Sequence, residues 1–197
     1  MKNRHICLLT LAKGESKRLK NKNMRIFKGK PLLYWTIKKA LKITKDYFVN
    51  SDDDEILEFA KKNGANIIRR NKKYLDHEVP SRIIMNDSFK DFPKRTDAVI
   101  HVQANSPNLE TDKLKKIYQI MKYTEVDDIF SLTSDHKING SFWGITKKKL
   151  KKYDLNHKLH DHLSLKNQCW FIDDTIDIHY IKEFKQAERR FSKEKLY

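Results

Sequence analysis

Short apolar runs alternating with helical patterns along 197 residues predict an α/β fold: three layers around a mainly parallel sheet. Two observations carry this. The apolar runs are brief and bounded by charged or turn residues, as strands buried on both faces are. The stretches between them place apolar residues at helical spacing.

In chain order, residues 6–12 form the first strand. Pro31 opens a helix to residue 41, with Leu33, Ile37, Ala40 and Leu41 on its inner side. Residues 47–50 make a second strand. Ser51 and Asp52 can cap a helix over residues 53–62, which Asn63-Gly64 stops. Residues 65–68 are a third strand, 80–89 a helix and 98–102 a fourth strand. Leu114, Ile117, Ile120 and Met121 mark another helix. Residues 129–132, 141–145 and 170–172 read as strands, and 180–190 as a closing helix. No linker, repeat or low-complexity segment divides the chain, so one domain over residues 1–197 is expected.

Hydrophobic residues make up 39% of the chain and aromatics 11%, enough to build a core and to exclude disorder. The net charge of +16 favours anionic partners. No basic block with interleaved aromatics stands out, and the lysines at 147–149, 151 and 152 fit a helix face as easily as a nucleic-acid patch. Nucleic acid and membrane are not expected partners. Cys7 and Cys169 lie far apart in apolar stretches and are expected as buried free thiols. No apolar run approaches the ~20 residues of a membrane span. The first is too short for a signal peptide, so a cytoplasmic protein is expected.

Ligands of parallel sheets sit outside the carboxyl ends of the strands. That selects the loops 13–23, 50–54 and 103–109. Residues 12–23 read A-K-G-E-S-K-R-L-K-N-K-N. Gly14 lets backbone approach a ligand, Ser16 offers a hydroxyl, and Lys13, Lys17, Arg18, Lys20 and Lys22 supply charge. Such a loop can cradle a polyphosphate. Nucleotidyl transfer needs this, because charge accumulates on the α-phosphate and the departing pyrophosphate. The loop is neither a Walker A sequence nor a Rossmann glycine fingerprint. On spacing alone, a solvated surface loop is an equal reading.

The segment resembles the signature of the cytidylyltransferases that activate acidic sugars, chiefly the CMP-N-acetylneuraminate synthetases: A-R-G-G-S-K-R-x-P-x-K-N, then G-K-P-L. Ala12, Gly14, Ser16, Lys17, Arg18, Lys22 and Asn23 match it, and Gly29-Lys30-Pro31-Leu32 follows. N-S-D-D-D-E-I at 50–56 resembles the family's S-T-D-D-E-E-I. Q-A-N-S-P-N-L at 103–109 is similar to Q-P-T-S-P-L, and N-G-S-F-W at 139–143 to N-G-A-I-Y. D-I-H at 177–179 parallels D-I-D. The similarity spans nearly the whole chain.

The resemblance implies a single-domain, three-layer Rossmann-like nucleotidyltransferase fold with a mixed sheet. It implies transfer of CMP from CTP to an acidic sugar or a smaller anionic acceptor, for surface glycan biosynthesis. Leu11, Ala12, Lys13, Gly14, Ser16, Lys17, Arg18, Lys22 and Asn23 would then bind the nucleotide. Lys22 and Lys17 would act catalytically on its phosphates, and Arg70 and Ser81 would lie at the cytosine. Gln103, Asn105 and Ser106 would meet the acceptor. Mg²⁺ is the implied cofactor, with Asp177 as its catalytic ligand. The family also allows a homodimer.

Four departures bear on chemistry. His179 stands where the family has a second metal carboxylate, and imidazole is a poor magnesium ligand. Asp177 alone with waters, Asp173 or Asp174 in a shifted register, or an Asp177–His179 site preferring Mn²⁺ are all open. Lys13 replaces an arginine and Glu15 a glycine. The compact stretch 108–177 favours a smaller acceptor. Within it, His157, His160 and His162 could form a metal cluster, although a polar loop is the plainer reading. His179 and Glu15 also motivate an alternative: a catalytically impaired nucleotide-binding relative acting as a regulatory or partner subunit.

Overall fold

Strand β1 (His5–Ala12) decides the architecture, because it has no polar face. Ile6, Leu8 and Ala12 join one buried cluster, while Cys7 and Leu9 join another. Successive side chains point to opposite faces of a sheet, so both faces must be covered. The computed structural model describes residues 2–76, 79–152 and 167–192.

β1 pairs in parallel with β4 (Tyr47–Ser51) on one side and β6 (Thr96–Val102) on the other. β5 (Asn66–Arg69) continues the sheet beyond β4, again in parallel. Beyond β6 lie β8 (Ile138–Thr146), β7 (Asp128–Leu132) and β9 (Gln168–Ile172), giving a seven-stranded sheet of order β5-β4-β1-β6-β8-β7-β9. β8 runs against both its neighbours. A tight turn forces this: Thr133 N–H donates to Lys137 O (2.7 Å), and so short a link permits only an antiparallel pair.

Helices α1 (Leu32–Leu41), α2 (Asp54–Lys62) and α4 (Thr111–Tyr123) cover one face, through Leu33, Ile37, Ile56, Ala60, Leu114 and Met121. Helix α3 (Ser81–Ser88) and the short α5 (Lys147–Leu150) cover the other, through Met85 and Leu150. The expected three-layer α/β fold is therefore present, with the expected strands and helices shifted by a few residues at their ends. A small hairpin, β2 (Ile26–Phe27) with β3 (Lys30–Pro31), was not anticipated, while α5 falls on the lysine run that fits a helix face.

A third cluster ties the two ends of the chain together. Helix α6 (Ile181–Arg190) sets Phe184 and Ala187 against Leu19, Phe27, Leu32, Trp35 and Ile178. The Phe27 ring meets Phe184 at 5.4 Å and Phe191 at 5.1 Å, both edge-on. This cluster matters for the site, since it seats residues 177–179 beside the loop that follows β1.

Two expectations need correction. Asp53, not Ser51 or Asp52, caps α2, accepting from Ile56 N–H at 3.0 Å. That leaves the Asp52 carboxylate for other work. Cys169 is half-buried rather than buried, because β9 is an edge strand; Cys7 is buried, and burial pushes its thiol up to about 11. Both thiols are free. His157, His160 and His162 lie outside the described residues. Among the described residues, no helix is long and apolar enough to cross a membrane.

Candidate active site

A cleft of about 390 Å³ opens where β1 and β6 end, bounded by the loop after β1, the start of α3 and the segment before α6. It gathers residues from two of the three loops that parallel-sheet geometry selects, 13–23 and 103–109. The third, 50–54, does not border it, but its Asn50 and Asp52 bond Arg70 and Gly14.

The loop after β1 forms one wall. Leu11, Lys13, Ser16, Lys17, Arg18, Lys22 and Asn23 all border the cleft. Asn23 donates its side-chain amide to Lys13 O (2.8 Å), closing the loop on itself. Gly14 N–H donates to Asp52 Oδ1 (3.1 Å). Ala12 and Gly14 do not border the cleft; Ala12 is core, and Gly14 packs against Asp53. A Cβ on Gly14 would lie 2.6 Å from Asp53 Cβ and 2.5 Å from Asp53 Oδ2, so only glycine fits. Gly14→Ala should therefore displace the loop; on the phosphate role that the resemblance implies, it should weaken binding of CTP about tenfold with a smaller effect on CMP. Calorimetric titration of both nucleotides checks this. Glu15, exposed, also faces the cleft.

Lys22 is the most constrained cation of the loop. Its Nζ donates to Ile178 O (2.9 Å), and burial lowers its pKa while the Asp177 carboxylate pulls it back up. Lys13 donates to Asp76 O (2.9 Å) and is lowered chiefly by burial, then by the Arg70 charge. Arg18 is exposed, its guanidinium 5.7 Å from the Tyr180 ring centroid.

The second wall is more apolar. Leu11, Val79 and Ile84 flank Arg70, with Ser81 at the α3 start. Arg70 is only 2% exposed. Asn50 grips it twice, Oδ1 accepting from Nε (3.0 Å) and the backbone O from Nη2 (3.1 Å). Asn50 is itself anchored by donating to Ser88 Oγ (3.1 Å).

Behind this wall lies His101, fully buried, its pKa held down at about 4 by burial and by the Arg70 charge. The unfolded chain takes up a proton near 6.5, which the folded chain refuses until about 4. Stability is therefore lost as pH falls through this window, by up to about 3 kcal/mol. His101→Gln should flatten urea-denaturation stability between pH 6.5 and 4 relative to the parent chain.

The third side carries Gln103, Asn105 and His179. Asn105 is the hub. Its backbone O accepts from Ile178 N–H (3.0 Å), and its side-chain amide donates to Ile178 O (3.1 Å) and to Asp177 Oδ1. His179 Nε2 bonds the other Asp177 oxygen, Oδ2, at 2.8 Å, and its Nδ1 is buried without a partner. Glu183 Oε2 accepts from His179 and Tyr180 N–H (2.8 and 2.6 Å), fixing the turn into α6.

Not every expected residue reaches the cleft. Ser106, expected at the acceptor, is 1% exposed and does not border the cleft; its Oγ is buried without a hydrogen-bond partner, while its backbone O accepts from Leu109 N–H at 3.2 Å. Asp173 is buried and held by Lys113 (2.6 Å), Ser141 (2.5 Å) and Thr175 (2.9 Å). Asp174 accepts from Ser134 N–H (2.8 Å) and borders a different cleft. Neither is placed to supply the second carboxylate at Asp177. Among the described residues, no group of three His, Cys, Asp or Glu side chains could hold a metal ion. Asn50 and Asp52 were not anticipated as site residues, although the loop they open was singled out by its place at a strand's carboxyl end.

Comparison with known proteins agrees with this geometry. The family described as "Cytidylyltransferase" matches residues 7–189. A pseudaminic acid cytidylyltransferase of Campylobacter jejuni is 30% identical over 161 residues, covering 78% of this chain and 69% of that protein. An N-acylneuraminate cytidylyltransferase of Oncorhynchus mykiss is 30% identical over 135 residues, 68% of this chain. The chain spans about a third of the length of the fish relatives. Among solved structures, a CMP:2-keto-3-deoxy-manno-octonic acid synthetase complexed with CTP superposes with a TM-score of 0.74 at 13% identity, covering 93% of this chain and 97% of the other. A cytidylyltransferase from Leptospira borgpetersenii gives 0.73 at 16% identity, covering 99% and 90%. With the family model matching residues 7–189 and a relative 30% identical over most of both chains, this chain belongs to the cytidylyltransferase family.

Proposed function

We propose that the chain transfers CMP from CTP to a small acidic sugar and releases pyrophosphate, supplying an activated sugar for surface glycan synthesis. The observation that carries this reading is one cleft lined both by the basic loop of Ser16, Lys17 and Lys22 and by the arginine-bearing wall of Arg70 and Ser81. The first suits a triphosphate, and the second a base.

In this reading the triphosphate lies along the loop, with the α-phosphate near Lys22. An acceptor oxygen held by Gln103 attacks the α-phosphorus in line. The new P–O bond forms as the bond to the β-phosphate oxygen breaks, and the acceptor's proton passes to solvent. Lys22 donates to the oxygens on which charge grows, and Lys17 to those of the departing pyrophosphate.

The residues present offer Mg²⁺ one carboxylate, Asp177, which does not itself border the cleft but bonds Asn105 and His179, which do. Magnesium binds through one or two carboxylates together with phosphate oxygens and water. Asn105 and His179 hold the two oxygens of that carboxylate from opposite ends, so His179 orients the ligand rather than replacing one. Bound there, the metal would offset negative charge on the triphosphate.

Pyrophosphate release tests the reading, measured with CTP, Mg²⁺ and a panel of acidic sugars of six to nine carbons. Release that depends on both CTP and one acceptor supports it. No release with any acceptor, from a folded protein, overturns it.

A further inference from the structure

We propose that Asp52 is a positioning residue that joins the two ends of the nucleotide site, holding the phosphate loop and the base-reading arginine with one carboxylate. The inference rests on the cleft being a CTP site. Asp52 ends the turn after β4, between the loop that follows β1 and the end of β5. Its Oδ1 accepts from Gly14 N–H at 3.1 Å. The same oxygen lies 3.8 Å from Arg70 Nη1.

Arg70 needs such a neighbour. It is 2% exposed, and a guanidinium so far from water requires a counter-charge. Asn50 fixes Nε and Nη2, which leaves Nη1 buried without a hydrogen-bond partner on a side chain that borders the cleft. That nitrogen is an unused donor just inside the cleft wall, which a base reaches by pressing into that wall. Cytosine offers an unprotonated ring N3 to such a donor, whereas uracil presents N3–H and is repelled. Asp52 thus steadies the group that tells the bases apart while it anchors the glycine at the start of the phosphate cradle. Lys13 shares the same field: burial and Arg70 lower its pKa, and Asp52 raises it.

The two tasks use different properties of one side chain. Gly14 needs only an acceptor oxygen. Arg70 needs the charge. Asp52→Asn keeps the acceptor and removes the charge; Asp52→Ala removes both. The test is calorimetric titration of the full chain and each variant with CTP, UTP and CMP, with thermal melting as the check on folding. Asp52→Asn should lower the preference for CTP over UTP about tenfold and leave the CTP-to-CMP affinity ratio within about twofold of the parent. Asp52→Ala should lower both ratios about tenfold. Adding Asp52→Asn to Arg70→Ala should change base preference no further.

Unchanged ratios in both variants would overturn the proposal. So would an equal loss for all three nucleotides, which a merely structural residue would give. A parent chain that fails to bind CTP would instead overturn the functional reading, and this inference with it.

Discussion

Replacing Lys22 with methionine should lower the turnover of CMP transfer about 10²–10³-fold, the loss typical when one preorganised donor to a developing charge is removed. Methionine keeps most of the stem and deletes the ammonium. The ammonium is well prepared for the task. It is already partly desolvated, fixed by Ile178 O at 2.9 Å and tuned by Asp177, so little reorganisation is needed when charge grows on the α-phosphate. CTP affinity should fall far less, because Lys17 and Arg18 still border the cleft. Single-turnover rates with saturating CTP, set beside calorimetric affinities, separate the two. A variant that binds CTP poorly but turns over normally when saturated would reduce Lys22 to a ground-state contact.

Asp177→Asn should lower kcat/KM about 10²-fold while metal-free CTP binding stays within about threefold of the parent, since the change removes a charge but little volume. Asparagine can still accept from Asn105, so the turn at 177–179 has reason to persist. Two further readouts distinguish a ligand from a structural prop. The magnesium concentration for half-maximal rate should rise. The alkaline limb of the rate profile should also move to lower pH. Asp177 raises the pKa of Lys22, so removing its charge lets Lys22 lose its proton at lower pH. Unchanged metal dependence would remove Asp177 from the metal-binding role.

The sheet's parallel half was legible because β1, β4, β5 and β6 carry short apolar runs between helical patterns, and such runs have one economical packing. The reversal of β8 was not, because strand direction follows from the Thr133–Lys137 turn rather than from residue type. Cys169 shows the same limit: an apolar strand reads alike at the centre and at the edge. At the site, glycine, hydroxyl and cations in the loop of residues 12–23 fit a solvated loop equally well on spacing alone, and its resemblance to the family signature singled it out. Asp52 and Asp53 could not be told apart by sequence. Adjacent aspartates face different partners in the folded chain, one the Gly14 amide and Arg70, the other the α2 cap. Asn105 and Ser106 also read alike in the sequence. Only the folded chain shows that Asn105 ties Asp177 and Ile178 to the end of β6 and that Ser106 does not border the cleft.

The proposed reaction moves the CMP half of CTP onto an acidic sugar. It is tested most directly by incubating the protein with CTP labelled at the α-phosphorus, a separate sample labelled at the γ-phosphorus, and the acceptor that elicits pyrophosphate release. The α-label should appear in a new anionic nucleotide-sugar, and the γ-label only in pyrophosphate. An α-label that stays in free nucleotide, or a γ-label in the sugar product, would contradict the account.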